Sequence, residues 1–154
     1  MATTHDYKAK VEWSGAAAGP TADYQSYSRE YTVHIDGKPS IKGSADPAFK
    51  GDPALHNPED MLVVSLSACH MLSYLALCAM AGIAVESYED DAQGTMEASG
   101  GGGHFTEVVL HPKVVLAAGA DQDKAMALHE KAHKVCFVAA SVNFPVRHEV
   151  SITA

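Results

Sequence analysis

The chain has 154 residues, 47% hydrophobic and 19% charged, a length and balance that suit one soluble domain spanning residues 1–154. A formal charge of −8 argues against DNA or RNA as a partner, because phosphate backbones are bound by clustered Lys and Arg. The opening residues MATTHDYKAK contain no apolar run, so no secretory signal is expected and a cytoplasmic location follows.

In chain order, Tyr7, Ala9, Val11 and Trp13 alternate with polar neighbours, which predicts a strand. Residues 15–23 are small and turn-rich. A second strand is expected over Ser26–Ile35, ending at the Asp36-Gly37 hairpin signal, with a short third one over Pro39–Gly43. Pro47, Gly51 and Pro53 make residues 44–57 a loop.

Asn57-Pro58-Glu59-Asp60 reads as a helix start. Asn57 caps, Pro58 needs no donor in the first turn, and the carboxylates meet the positive end of the dipole. The helix should run to about Ala81, with Gly82 as its stop. Residues 61–85 are the most apolar stretch, but serines, Cys69, His70 and Tyr74 interrupt it and no basic residues flank it. A buried helix is therefore expected, not a membrane span.

Two long strands, Glu86–Ser99 and His104–Leu116, should pair around Gly100–Gly103, with Pro112 marking an edge or a bulge. A second helix is expected from Asp121 to about Ala140, with Leu128, Ala132, Val135, Cys136 and Ala139 on its apolar stripe. Val146, His148, Val150 and Ile152 alternate as a closing strand. The order βββ-α-ββ-α-β predicts an α+β fold, with antiparallel sheets packed on two central helices.

The three cysteines, Cys69, Cys78 and Cys136, are widely spaced, and any pairing in a reducing compartment is expected to be catalytic or redox-sensing. Cys78 follows Cys69 by nine residues, about half a revolution around a helix, so the two face apart. Cys69 and Cys136 each lie on the apolar side of a helix that should pack on the other. A thiolate with a second thiol nearby is the minimum for peroxide reduction through a sulfenic acid and then a disulfide.

Asn57-Pro58-Glu59-Asp60-Met61-Leu62, continuing through Ser67-Ala68-Cys69, with Lys134-Val135-Cys136-Phe137 later in the chain, resembles the OsmC/Ohr family of organic hydroperoxide reductases. The resemblance implies that Cys69 attacks the peroxide oxygen and that Cys136 resolves the sulfenic acid as a Cys69–Cys136 disulfide. Glu59, ten residues before Cys69, would hold an arginine that activates the thiolate. Arg29 is the expected arginine, and Arg147 on the closing strand is the weaker choice. The resemblance also implies a dithiol reductant such as a lipoyl-bearing protein, with no cofactor, metal or membrane in the reaction. His70, Phe137 and His56 stand where the family more often has an aromatic, a proline and a threonine. Ten helical residues separate Glu59 from Cys69 by about 15 Å, which predicts an intertwined homodimer that brings one chain's Glu59 to the other's Cys69.

A rival motif is His129-Glu130-Lys131-Ala132-His133, an H-E-x-x-H match that would make the chain a zinc-dependent hydrolase, with Cys136 on the same face. Failing a ligand role, His129 and His133 should line a partly exposed helix face. A third reading is a non-catalytic binding module that keeps the fold without the activity.

Overall fold

In the computed structural model, which describes residues 1–154, each of the three long strands expected beyond residue 85 breaks in two and changes sheet. The first becomes β4 (Val85–Asp90) and β5 (Gln93–Ser99), following three N-terminal strands described below. The second becomes β6 (Gly102–Leu110) and β7 (Pro112–Leu116), and the closing one becomes β8 (Val146–His148) and β9 (Ser151–Thr153). One sheet has the order β4-β7-β9 and the other β5-β6-β8. Pro112 brings no N–H to the ladder, and the His111 N–H beside it donates to Asp90 Oδ1 at 2.6 Å. Pro112 thus marks the change of sheet.

The sheets are mixed, a departure from the antiparallel expectation. The β4–β7 and β5–β6 pairs are antiparallel, but β6–β8 and β7–β9 are parallel. The cause is the helix α2 (Gln122–Val135) between them, a crossover that returns the chain in its original direction. With each broken strand counted once, the element order is the one expected.

Residues 1–61 and 62–154 form two compact units. In the first, β1 (Lys10–Glu12), β2 (Tyr31–His34) and β3 (Ile41–Gly43) form an antiparallel meander. These strands are shorter than expected because residues 14–18 turn in a 3-10 helix that packs against the chain leading into β2. Gly15 donates to Glu30 O at 2.8 Å. A Cβ at Gly15 would meet Ser28 O and Trp13 Nε1 at 2.6 Å, so this approach requires glycine.

Helix α1 (Pro58–Met80) begins and ends where the sequence places it. The Asp60 N–H donates to Asn57 Oδ1 at 2.8 Å, a side-chain cap. At the other end Gly82 takes φ 72°, and the Ile83 N–H reaches back to Cys78 O at 2.9 Å, closing the helix in a Schellman turn. Leu66, His70, Tyr74 and Cys78 are its buried residues. The spacing of four makes them one stripe.

Leu66 packs with Val108 and Leu110 in one apolar cluster, and Tyr74 and Cys78 pack with Val114, Leu116, Ala125 and Ala132 in another. His70 falls between them along the stripe. The other side of α1 stays open: Val64 is 63% and Leu72 62% exposed. By length and composition alone α1 could cross a membrane, yet only 22% of its most apolar window is buried. The buried helix expected from sequence is thus buried on one face only.

Helix α2 is capped by Asp121, whose Oδ1 accepts from the Lys124 N–H at 2.9 Å. It stops at Val135 rather than near Ala140, and Cys136 follows in extended conformation as the C-cap. The buried residues are Ala125, His129 and Ala132, then Cys136. Val135, expected on the apolar stripe, is 47% exposed.

Candidate active site

Cys69 lies on α1 beside the buried stripe and is half-buried, whereas Cys136 is fully buried at the end of α2. Their side chains are neighbours, close enough for Cys69 to raise the Cys136 thiol. Both thiols are free. Burial, reinforced by the neighbouring Cys69, pushes the Cys136 thiol up to about 11. The Ala139 N–H, donating to Cys136 Sγ at 3.5 Å, opposes that shift without reversing it. Cys136 therefore stays protonated near neutral pH.

Cys78 has a different setting. It is buried in the apolar cluster of Tyr74, Val114 and Leu116, and burial raises its thiol while the neighbouring Tyr74 opposes that shift. Its separation from the Cys69–Cys136 pair agrees with the half-revolution read from sequence.

The region that sequence reasoning missed is a buried group of imidazoles. His129, expected on a partly exposed face, is 1% exposed, and His70 is 2% exposed. His70 Nε2 and His129 Nδ1 are 3.0 Å apart, with ring centroids 5.3 Å apart and planes within 12°. The rings therefore meet edge to edge and nearly coplanar, one nitrogen donating and the other accepting. Tyr74 stacks on His129 at 3.7 Å, and His148 lies 5.4 Å from His70.

Burial lowers His70 to about 4 and His129 to about 3, aided by the neighbouring imidazoles. Both rings are neutral at pH 7. The four-residue spacing in Leu66-His70-Tyr74 and Ala125-His129 was the available signal, obscured by the charged residues around His129.

The H-E-x-x-H motif does not become a metal centre. His129 bonds to His70, His133 lies beside His148, and no group of three or more His, Cys, Asp or Glu side chains is placed to hold a metal ion.

Within residues 1–61, Arg29 donates to Tyr27 O at 2.6 Å and to Tyr24 O. Its guanidinium lies 3.7 Å from the Tyr27 ring centroid, a cation–π contact. It lines a cavity of about 320 Å³ with Trp13, Tyr27, Tyr31, Ser44 and Pro58. Backbone carbonyls, and no carboxylate, receive the guanidinium in the single chain. Glu59 is half-buried and sits close enough to Tyr31 to raise its phenol, after burial as the main cause. Tyr31 joins this group unannounced, although its place two residues after Arg29 puts both on one side of an extended chain. Arg147 is held by Glu107 at 3.0 Å and Glu149 at 3.6 Å.

A second cavity, of about 290 Å³, opens between α1 and β4, lined by Val63, Ser67, Ala68, Met71, Tyr88 and Asp90. Ser67 Oγ donates to Asp90 Oδ2 at 2.5 Å, while the other oxygen of Asp90 holds the His111 N–H. One carboxylate thus ties the turn of α1 preceding Cys69 to the break between β6 and β7.

Residues 51–151 match the model of the OsmC-like protein family. The chain is similar to a Vibrio cholerae OsmC-like protein of unknown function, at 35% identity over 96% of this chain and 100% of that one, with a TM-score of 0.86. It shares 24% identity over 101 residues with the uncharacterised protein YmaD of Bacillus subtilis, 62% of this chain and 67% of that one. In fold it also matches an organic hydroperoxide resistance protein OsmC from Legionella pneumophila, at 21% identity over 99% of this chain and 100% of that one, with a TM-score of 0.70.

Proposed function

Since this chain belongs to the OsmC-like protein family, we propose that it is a cytoplasmic thiol peroxidase that reduces organic hydroperoxides to alcohols. The observation that carries this reading is the neighbouring pair of free thiols, one half-buried and the other fully buried. The Legionella protein's name as an organic hydroperoxide resistance protein supports the substrate class.

The Cys69 thiolate attacks the hydroxyl-bearing oxygen of ROOH, and the O–O bond breaks to give Cys69–SOH and RO⁻, which takes up a proton and leaves as the alcohol. Cys136 then attacks the Cys69 sulfur. An S–S bond forms, the S–O bond breaks, and water leaves with the Cys136 proton. A dithiol, such as a lipoyl-bearing protein, reduces the disulfide by exchange. The apolar cavity beside Ala68 favours an alkyl chain over hydrogen peroxide.

Arg29 and Glu59 act in this reading across a two-fold homodimer. Ten residues of helix place Glu59 about 15 Å from its own Cys69 along the axis, so the carboxylate and its arginine serve the partner's thiol. The same dimer covers the exposed Val64 and Leu72 face of α1. A fully active monomer by light scattering defeats this arrangement.

The reaction itself is tested by counting thiols before and after one equivalent of an alkyl hydroperoxide. Loss of two thiols per chain, with Cys69 and Cys136 joined in the mass spectrum, supports the peroxidase. Retention of all three leaves a non-catalytic module.

A further inference from the structure

Two buried imidazoles joined edge to edge are an unusual way to pack helix α1 on helix α2. Apolar side chains at these two sites would bury as well and leave no polar atom to satisfy. The pair sits between the two apolar clusters of the unit, with Leu66 on one side of His70 and Tyr74 on the other. Apolar packing tolerates sliding of one surface over another. A near-linear bond between two flat rings is directional, and a shift of an ångström breaks it.

The placement of the pair is specific. His70 is the residue directly after Cys69, and His129 lies seven residues, about two turns, before Cys136. Cys136 is the C-cap of α2 and already extended, so its thiol goes where the last turn of α2 carries it. The Ala139 N–H on Cys136 Sγ fixes the thiol to the following turn but not to α1. Besides the contact of the thiols themselves, the His70–His129 bond is the buried polar link between the two helices. An exposed one, Lys124 Nζ to Ala81 O at 3.2 Å, joins the start of α2 to the far end of α1, away from the thiols.

We propose that His70 and His129 are positioning residues whose edge-to-edge hydrogen bond sets the register of α1 against α2 and so holds Cys69 opposite Cys136. Neither imidazole touches the reacting sulfur atoms. Their effect is on how often the two thiols stand within bonding distance, which is the effective concentration of one for the other. The inference deepens the proposed function, but it needs only the proximity of the thiols and can be tested without a peroxide.

The test equilibrates the protein with reduced and oxidised glutathione, in which two protein thiols and one glutathione disulfide give the Cys69–Cys136 bond and two glutathione thiols. The ratio at half-oxidation gives the effective concentration of the pair. Leucine at either site, His70→Leu or His129→Leu, should lower it about tenfold, the equivalent of one net hydrogen bond. His70→Gln places an amide near the imidazole Nε2, and His129→Asn places one near Nδ1. Each should restore the value to within about threefold, which a purely space-filling role would not do.

Single leucine variants strand one buried polar ring and lose stability for that reason. The double variant His70→Leu/His129→Leu removes both polar groups and should recover the thermal midpoint while its effective concentration stays low. A double leucine variant with the wild-type effective concentration overturns the proposal. So do glutamine and asparagine variants no better than leucine. A protein that passes this test but is not oxidised by alkyl hydroperoxides keeps the clamp and loses the peroxidase reading.

Discussion

Cys78 and Cys136 are each 1% exposed, and both thiols are raised by burial, yet their surroundings give them opposite chemistry. Cys78 is enclosed by Tyr74, Val114 and Leu116 in the last turn of α1. Its neighbours supply dispersion and one hydroxyl, and its sulfur has no redox partner. Cys136 lies just past the end of α2, with a backbone N–H on its sulfur and a second thiol in contact. Burial therefore says little about what a cysteine does. The group beside the sulfur decides: both cysteines stand near the end of a helix, and Cys136 alone has a second thiol beside it.

The largest expected effect separates these regions outright. Cys69→Ser should lower peroxide consumption by on the order of 10³ or more, as loss of a nucleophile does. Cys136→Ser should consume one equivalent of hydroperoxide per chain and stop, leaving a sulfenic acid on Cys69 that a dimedone adduct reveals. Turnover by Cys136→Ser at the wild-type rate, with the same dithiol reductant supplied to both, would erase the distinction between the two buried cysteines.

Acid should act next, and on the Cys136 side. His70 and His129 titrate in the folded chain at about 4 and about 3, against the usual 6.5. Below pH 6.5 the unfolded chain binds protons that the folded chain refuses. Stability is thus full above about pH 6.5 and falls as pH drops toward 4, by on the order of 3 kcal/mol for each imidazole. Denaturant unfolding at pH 7, 5.5 and 4 measures this slope, which should be largely absent from His70→Leu/His129→Leu. An equal slope in that variant would place the acid sensitivity elsewhere.

Removing a core contact is a smaller, purely structural change. Leu66→Ala should cost about 3 kcal/mol by denaturant unfolding and leave the residual folded protein able to form the disulfide. The smallest effect belongs to Cys78→Ser, which buries a hydroxyl beside that of Tyr74. It should cost about 1 kcal/mol and leave peroxide consumption per folded molecule unchanged. Activity lost with Cys78 while the fold persists would make the comparison of the two thiols wrong.

Much of this was legible in the residues. Asn57-Pro58-Glu59 placed the start of α1, and Gly82 its end, because capping chemistry is local. The α+β order followed from the succession of elements, and the nearness of Cys69 to Cys136 from two helices packed on their apolar sides. Of the breaks in the long strands, Pro112 signalled the one between β6 and β7, but the others were not legible. Alternation continues through Ala92, and the change of sheet there shows in the Asp90 bond to the His111 N–H. The early end of α2 was hidden because Cys136–Ala140 remains apolar enough to extend a helical stripe. His129 was misjudged because its motif reads as polar, whereas its burial depends on His70, fifty-nine residues away. Arg29 could be named but not aimed: its carbonyl partners are set by how the chain folds around Tyr24 and Tyr27.

The parallel pairing of β8 on β6 and β9 on β7 also sets a schedule. As the chain leaves the ribosome, the β5–β6 hairpin can close at once, since its two strands are neighbours. Each sheet still lacks its third strand until residues 146–153 have been made, long after α1 has emerged. During that interval the row of unpaired N–H and C=O groups along β6 and β7 is an open edge, and the contacts that seal it are among the most distant in sequence. Closure of both sheets therefore comes last, and a chaperone that shields this edge would act between synthesis of α2 and synthesis of β9.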